Sequence, residues 1–384
     1  MTDIREPTPT SPGRARWRQR LQAEWLLLLF GTPVMLLALL DPQPLASYRR
    51  WLQLPTLAGL LGLLIAIQGI RDSGVVQRAA AALAARTHSV RTLGLLLVAA
   101  TALLSMLLTN DVSLFLIVPL TVALGTISNV PVLRMVVLEA LAVNAGSTLS
   151  PIGNPQNLLL WQHAHIPFFR FVGAMLPAAA VMMLLLMALT WCWLPTTRID
   201  LEHSDAARDD ISMPLASLSG AALAMMVWMM EIGQAESGAL VLLLLFAVFG
   251  LRTLVRIDWL LLVTFAAIFL GLGHVAELGP VRDALDRLDF NQPLTLYVSG
   301  IIASQLISNV PATVLLLDRA QNPLALAVAV NVGGFGLAIG SLANLIALRL
   351  ARQPLGLRQL HKVSIPFLLI SAPLVYLTWR WLAP

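Results

Sequence analysis

Asn144 to Leu158 reads NAGSTLSPIGNPQNL, and 187 positions later Asn331 to Leu345 reads NVGGFGLAIGSLANL. The two stretches match without a gap at Asn, Gly, Ile, Gly, Asn and Leu, six positions in all. Asparagine is scarce in so apolar a chain, so the match marks an internal repeat and not a shared composition. Each stretch is the polar middle of a longer apolar segment, Met135 to Trp161 and Pro323 to Leu348, and each therefore predicts a helix broken inside the membrane. Working outward, two regions pair apolar arms around a polar dipeptide. Thr92 to Leu108 and Val112 to Gly125 flank Asn110-Asp111, and Pro293 to Ile307 and Pro311 to Leu317 flank Ser308-Asn309. Thr109-Asn110 and Ser308-Asn309 match at an offset of 199. The later arms look too short to cross ~30 Å of hydrocarbon at ~1.5 Å per residue, so both regions are expected to be re-entrant hairpins.

Composition sets the environment. Of 384 residues, 58% are hydrophobic and 12% charged, with a mean hydropathy of +0.80. A water-soluble domain of this composition would expose apolar patches beyond what such proteins tolerate, which makes the chain an integral membrane protein. The net charge is +5, and Lys362 is the only lysine among 25 basic residues. These cations are scattered between apolar runs, which excludes nucleic acid as a partner. One cysteine, Cys192, excludes an internal disulfide and a multi-thiolate zinc site. Arg14, Arg16, Arg18 and Arg20 precede the run Trp25 to Leu40, but Leu45-Ala46-Ser47 is a poor cleavage site, so the run is expected to be a retained helix.

Seven runs read as ordinary crossings: Trp25 to Leu40, Leu54 to Ile70, Phe171 to Leu194, Leu215 to Met230, Ser237 to Leu251, Trp259 to Val275 and Val363 to Leu382. With the two broken helices this gives about nine crossings plus two hairpins in an all-α polytopic membrane protein. Each half runs two helices, an amphipathic segment, a hairpin, a broken helix and a final helix. The halves, Trp25 to Leu194 and Ser237 to Leu382, are joined by one crossing, which makes them inverted repeats. The expected division is a basic tail over residues 1–24, scaffold helices with an amphipathic arm over 25–91 and 237–292, transport units over 92–194 and 293–384, and a cytoplasmic loop with a linking helix over 195–236. The polar loop Thr196 to Pro214 reads as a solvated connector. Arg71 to Arg91 is a basic amphipathic stretch and Glu277 to Asp289 an acidic one. With the N-terminus inside and the C-terminus outside, about 18 of the 25 Lys and Arg face the cytoplasm, as the positive-inside rule requires.

Broken segments mark the site, because stray backbone groups in lipid cost several kcal/mol each. Ser150-Pro151-Ile152-Gly153-Asn154-Pro155 offers flexible carbonyls to a cation, then Asn154 as a cap and Pro155 at the first helical position. The new half-helix points its positive dipole end into the cavity. Gly340-Ser341 occupies the equivalent place without a proline. Asn110 and Asn309 sit at the hairpin tips, where an amide either donates to an anion or simply caps the turn. Asp111 and Glu139 are the only acids inside the apolar runs, and their repeat partners are Val310 and Leu326. An intramembrane acid is by default a proton or cation site. Glu139 has a second option, an ion pair with Arg134. The pair His163 and His165 has ring positions on different helix faces and no following carboxylate, so no metal is expected there. Trp161, Trp191, Trp193, Trp379 and Trp381 read as interfacial belt residues. No HExxH, no GxSxG and no paired acids on one face point to an enzyme.

TNDVSLFLIVPL at Thr109, SPIGNPQNLLL at Ser150 and SNVPATVLLL at Ser308 resemble the ion transporter superfamily, which includes arsenite permeases, citrate transporters, sodium/proton antiporters and divalent anion/sodium symporters. The resemblance covers nearly the whole chain after about residue 25. It implies that Thr109, Asn110, Ser308 and Asn309, with Asn154 and Ser341, contact substrate. It also implies two cation sites completed by the loops Ser150 to Asn157 and Gly340 to Asn344, drawing on Asn144, Ser150, Gly153, Asn157, Asn331, Gly340 and Asn344, with Asp111 and Glu139 in proton or cation coupling. Na+ would bind at those residues and no other cofactor is implied. The same resemblance implies a homodimer in the lipid bilayer of a bacterial inner membrane, working by an elevator motion on a small anion. The dicarboxylate branch carries Ser-Asn-Thr at both tips, whereas this chain has Thr-Asn-Asp and Ser-Asn-Val, so it leans toward the arsenite-permease and antiporter-like branch. The expected function is a sodium- or proton-coupled anion transporter, with sodium/proton antiport or arsenite-type efflux as alternatives.

The charge count yields a topology test. Of single cysteines placed at Ala82 and Ala284, only the second is expected to react with an impermeant maleimide added outside intact cells. Reaction at position 82 but not 284 would reverse the assignment.

Overall fold

The computed structural model describes residues 25–200, 211–352 and 355–382, which are helical almost throughout. Among them the sole extended pairing is the bridge between Ser89 and Arg198. The expected tail over 1–24 and the middle of the polar connector fall outside these residues. In chain order the helices are α1 (Trp25–Leu40), α2 (Leu45–Trp51), α3 (Leu54–Asp72), α4 (Val75–Arg86), α5 (Val90–Leu107), α6 (Asn110–Ile127), α7 (Val132–Ser147), α8 (Pro155–Ala164), α9 (Phe168–Trp193) and α10 (Met213–Glu231). They continue with α11 (Ala235–Phe249), α12 (Leu251–Arg256), α13 (Trp259–Glu277), α14 (Gly279–Asp286), α15 (Pro293–Ile307), α16 (Asn309–Leu317), α17 (Pro323–Val332), a 3-10 turn at Ala338–Gly340, α18 (Leu342–Ala351) and α19 (Gly356–Leu382). Among the described residues six helices are long and apolar enough to cross a membrane: α3, α5, α6, α9, α10 and α19. The chain is a multi-pass helical membrane protein.

At both polar dipeptides one helix gives way to the next, α5 ending at Leu107 before α6 opens on Asn110 and α15 ending at Ile307 before α16 opens on Asn309, and both repeat stretches interrupt a helix. One expectation about length fails. The later arm of the first hairpin, α6, runs 18 residues and not 14, because Asn110 and Asp111 open it behind the Thr109 cap and Thr126 and Ile127 extend it. At ~1.5 Å per residue that is about 27 Å, so its length is compatible with a crossing. The equivalent α16 has only 9 residues, about 13 Å. Two short helices, α2 and α12, went unforeseen because each is a turn or two of interfacial sequence without a spanning signal. Trp379 departs from the aromatic belt: it is buried, and its indole N–H donates to the Ala174 carbonyl at 3.1 Å, the acceptor a buried Trp requires. Trp381, two residues on, is exposed.

Two sets of helices pack closely, and α4 and α3 join them by lying on α6. In one, α3 lies against α10 and α11, and α13 against α1 and α2. In the other, α5 and α6 pack on α7, α15 on α16 and α17, and α18 on α6 and α7. Polar clasps tie helix ends in the first group. His274 of α13, nearly fully buried, sits 3.0 Å from Asp41 and beside the rings of Trp51 and Tyr48. The hydrogen bond to His274, then that from Gln43, hold the Asp41 carboxyl below the usual carboxylate range. Glu277 accepts from the Trp51 indole at 3.0 Å and from Arg50. At the other end of α3, Asp72 takes Arg256 and Thr253, each at 3.1 Å.

A close backbone approach lies in the second group, where α7 crosses α5. A Cβ on Gly146 would stand 2.3 Å from the Ala102 carbonyl oxygen and 2.5 Å from its Cα. Backbone cannot yield as a flexible side chain does. Gly146→Val is therefore expected to destabilise the purified protein by about 1–3 kcal/mol, visible as a lowered midpoint of thermal unfolding in detergent. Gly173→Val on α9, which has open space, should leave the midpoint unchanged.

Candidate functional site

The two interrupted helices meet through their asparagines. At the first gap α7 ends at Ser147 and α8 restarts at Pro155, with Asn154 as its cap: Oδ1 accepts from the Asn157 N–H at 2.8 Å. The pairing of a side-chain cap with proline at the first position explains why the restart falls there. At the second gap α17 ends at Val332, and Ser341 caps α18 by accepting from the Ala343 N–H at 3.3 Å.

Positions matched by the 187-residue offset bond crosswise. Asn331 Nδ2 donates to Asn157 Oδ1 at 2.6 Å, and Asn144 Nδ2 donates to Asn344 Oδ1 at 3.1 Å. Each first asparagine of one stretch thus bonds the last asparagine of the other. Asn331 Oδ1 also accepts from Asn154 at 2.9 Å and from Gln156 at 3.4 Å. The remaining amide protons collect carbonyls freed by the gaps. Asn157 Nδ2 lies 3.1, 3.1 and 3.0 Å from the carbonyl oxygens of Ser147, Thr148 and Ser150, and Asn344 Nδ2 lies 2.9 Å from that of Gly334. All four asparagines are buried. Gly153 admits no side chain, since a Cβ would meet the carbonyls of Ser147 and Ser105 at 2.6 and 2.8 Å. Its own carbonyl accepts from the Asn110 N–H at 3.1 Å, which joins the first tip to the first gap.

The tips differ. Thr109 is extended and caps α6, whereas Ser308 takes φ +70°, a left-handed value costing a non-glycine residue about 1–3 kcal/mol. Asn309 Oδ1 accepts from the Val310 N–H at 3.0 Å, which turns its Nδ2 away with no partner. Asn110 keeps an unpartnered Oδ1. One buried tip therefore presents a free donor and the other a free acceptor. Gln156, in the first turn of α8, adds another unpartnered buried oxygen, Oε1.

Glu139 is fully buried, with one oxygen bonded to the Thr121 hydroxyl and the other unpartnered. It does not pair with Arg134, whose guanidinium instead lies 5.7 Å from the centre of the Trp193 ring. Asp111 follows the first tip in the opening turn of α6. Ser150 and Gly340 are buried beside the gaps. His165 ends α8 in a left-handed turn, and among the described residues no cluster of metal-ligating side chains exists. Sequence reasoning missed Gln156, whose position one residue after Pro155 was the available signal. It also missed Gln305, His361 and Ser364, which reach the second gap from distant helices and leave no local signal.

Paired tips, interrupted helices and a buried amide network within a multi-pass bundle define a membrane transporter. Comparison with known proteins agrees: a family described as citrate transporter matches residues 23–324, and the chain belongs to that family. The chain is similar to the inner membrane protein YbiR of Escherichia coli K12, 37% identical over 91% of this chain and 93% of that protein. It is 30% identical to the uncharacterized transporter MJ0456 of Methanocaldococcus jannaschii over 85% of this chain and 88% of the relative. It is also 30% identical to the silicon efflux transporter LSI3 of Oryza sativa, over 36% of this chain and 30% of that one.

The amide network predicts unequal costs. Asn331→Ala strands Gln156 Nε2 and Asn157 Oδ1 and removes one acceptor of Asn154, which keeps Ser147, whereas Asn144→Ala strands only Asn344 Oδ1 among the side chains. At about 1–3 kcal/mol per orphaned buried group, Asn331→Ala should lower the unfolding midpoint more than Asn144→Ala. Equal shifts would show that the crosswise bonds carry equal weight despite the difference in partners.

Proposed function

We propose that this chain is a secondary active transporter of a bacterial inner membrane, moving a small anion coupled to sodium ions or protons. The observation that carries this reading is the pair of buried hairpin tips with unpartnered amide atoms beside two interrupted helices. The free Asn309 Nδ2 suits an anionic oxygen. The free oxygens of Asn110 and Gln156 suit a cation. Thr109, Ser308, Asn154 and Ser341 shape the substrate contact around the two tip amides. Asn154, Asn144, Asn157, Asn331 and Asn344 are engaged with one another and with gap carbonyls, so their part is to hold Ser150, Gly153 and Gly340 where a cation would approach.

The packing of α3 on α10 and α11, and of α5 and α6 on α7, supports a division into scaffold (25–91 and 237–292) and transport units (92–194 and 293–384), linked through 195–236, with α4 on α6 as a contact between them. The clasps Asp41 with His274 and Asp72 with Arg256 join helix ends that nine crossings in inverted repeats, with the N-terminus inside and the C-terminus outside, would put on the same side of the membrane. We propose an elevator motion of the transport unit in a homodimer. The family description and the names of the relatives support citrate-like or oxyanion substrates, the latter by analogy with silicon efflux. A second reading, sodium/proton antiport, is favoured by Asp111, an acid beside a tip whose partner at the other tip is Val310.

The test is uptake into proteoliposomes of citrate, arsenite and silicate, with imposed sodium or proton gradients, over pH 5.5–8.5. Wild type is expected to accumulate one of these only with a gradient. Asn309→Ala should raise the apparent KM for the anion roughly ten- to a hundredfold, the loss of one hydrogen bond to a charged group, whereas Asn110→Ala should raise the concentration of coupling cation needed for half-maximal uptake. Asp111→Asn should keep the fold and lose the dependence on the gradient. Gradient-driven ion exchange with no anion moved would favour antiport, and unchanged coupling in Asp111→Asn would pass the coupling role to Glu139.

A further inference from the structure

The two helix gaps are held by different means. In the first gap, Asn157 of the restarted helix gathers the carbonyls of Ser147, Thr148 and Ser150, and Ser150 Oγ accepts from the Ile152 N–H at 3.3 Å. The broken helix closes its own gap. The second gap borrows side chains from outside. Gln305 of α15 donates from Nε2 to the carbonyls of Gly333 and Phe335 at 2.6 and 2.8 Å, and accepts at Oε1 from the Leu337 N–H at 2.7 Å. From α19, Ser364 Oγ accepts from the Gly336 N–H at 2.7 Å, and His361 Nε2 accepts from the Ala338 N–H at 2.9 Å. Five backbone groups of one short loop are thus bound by three side chains of two other helices. At the 199-residue offset Gln305 corresponds to Met106, which can neither donate nor accept in this way.

We propose that Gln305, Ser364 and His361 are the positioning residues of the second gap: through them the first arm of the second hairpin and the last helix set the loop that delivers Gly340 and Ser341 to the site. The proposal rests on the transporter reading for what the site binds, but not for how the loop is held. Because Ala338 N–H is the donor, the contact exists only while His361 Nε2 is unprotonated. A proton on that nitrogen turns acceptor into donor and opposes two N–H groups. The neighbourhood offers the imidazolium little compensation. Its own helix carries Arg358 and Lys362 one turn before and one residue after. Of the elements packed on α19, α7 carries Arg134 and Glu139, the latter bonded to Thr121, and α9 carries Arg170 near its far end; α17 and the 3-10 turn carry no charge. Acidification therefore loosens one gap and leaves the other, held by amides and serine hydroxyls, unchanged.

The experiment is hydrogen exchange on purified protein in lipid nanodiscs at pH 5.0 and 8.0, corrected for intrinsic exchange, with no transport required. Peptides covering 333–341 should lose about tenfold in protection at the lower pH in wild type, while those covering 147–157 stay level. His361→Gln, whose amide oxygen accepts at any pH, should keep the loop protected and abolish the pH dependence. Gln305→Leu should lower protection at both pH values, and in proteoliposomes should raise the apparent KM with a smaller change in maximal rate. Loop protection independent of pH in wild type, or an undiminished pH response in His361→Gln, overturns the proposal. So does an unaltered KM in Gln305→Leu beside a working wild type. A wild type that transports no anion, with the exchange pattern as expected, would count against the transporter reading and leave the hold on the loop established.

Discussion

A chain that leaves helical geometry within hydrocarbon must find partners for every N–H and C=O it frees, because no water is there to take them. Here the partners are carboxamides. One Asn157 side chain serves three carbonyls and an asparagine, and one Gln305 side chain serves two carbonyls and an N–H. An amide is suited to this because it donates and accepts at once and carries no charge whose burial would need compensation. The gaps can then sit in the middle of the bundle, and the tips can reach them, as Asn110 reaches Gly153.

The order of elements was legible in the sequence because it rests on local rules. Asn154-Pro155 restarts a helix by capping and by a preset φ, and Thr109-Asn110 turns one arm into the next. Polar positions in the repeat located the gaps. The amide contacts themselves were not legible, since Asn331 and Asn157 meet across 174 residues and no local rule chooses among buried asparagines. The same holds for Glu139, where proximity in sequence suggested Arg134 and packing against α6 supplied Thr121 instead. The length of α6 was misjudged because the apolar run covers only Val112 to Gly125, whereas the helix starts behind its Thr109 cap on the polar Asn110 and Asp111 and continues through Thr126 and Ile127.

The halves share a plan but differ in chemistry. Both intramembrane acids lie in the first half, together with the unpartnered oxygens of Asn110 and Gln156. The second half has the strained Ser308, the unpartnered Asn309 donor and the loop held from outside. Duplicated architecture therefore carries two unlike surfaces toward one place, an acceptor-rich one and a donor-bearing one. In the function proposed above, that division would let a site treat a cation and an anion differently while using one backbone design twice.

The crosswise asparagines also constrain how the protein is made. Asn144 and Asn157 find their side-chain partners in residues synthesised 200 and 174 positions later. At roughly 5–20 residues per second, the first half waits on the order of 10–40 s with its central amides unmatched. During that interval it is a half-built enclosure whose polar interior must be screened by water or by the insertion machinery. Assembly of the bundle is thus necessarily a late event, and the first half released alone would be exposed to misassembly in the membrane.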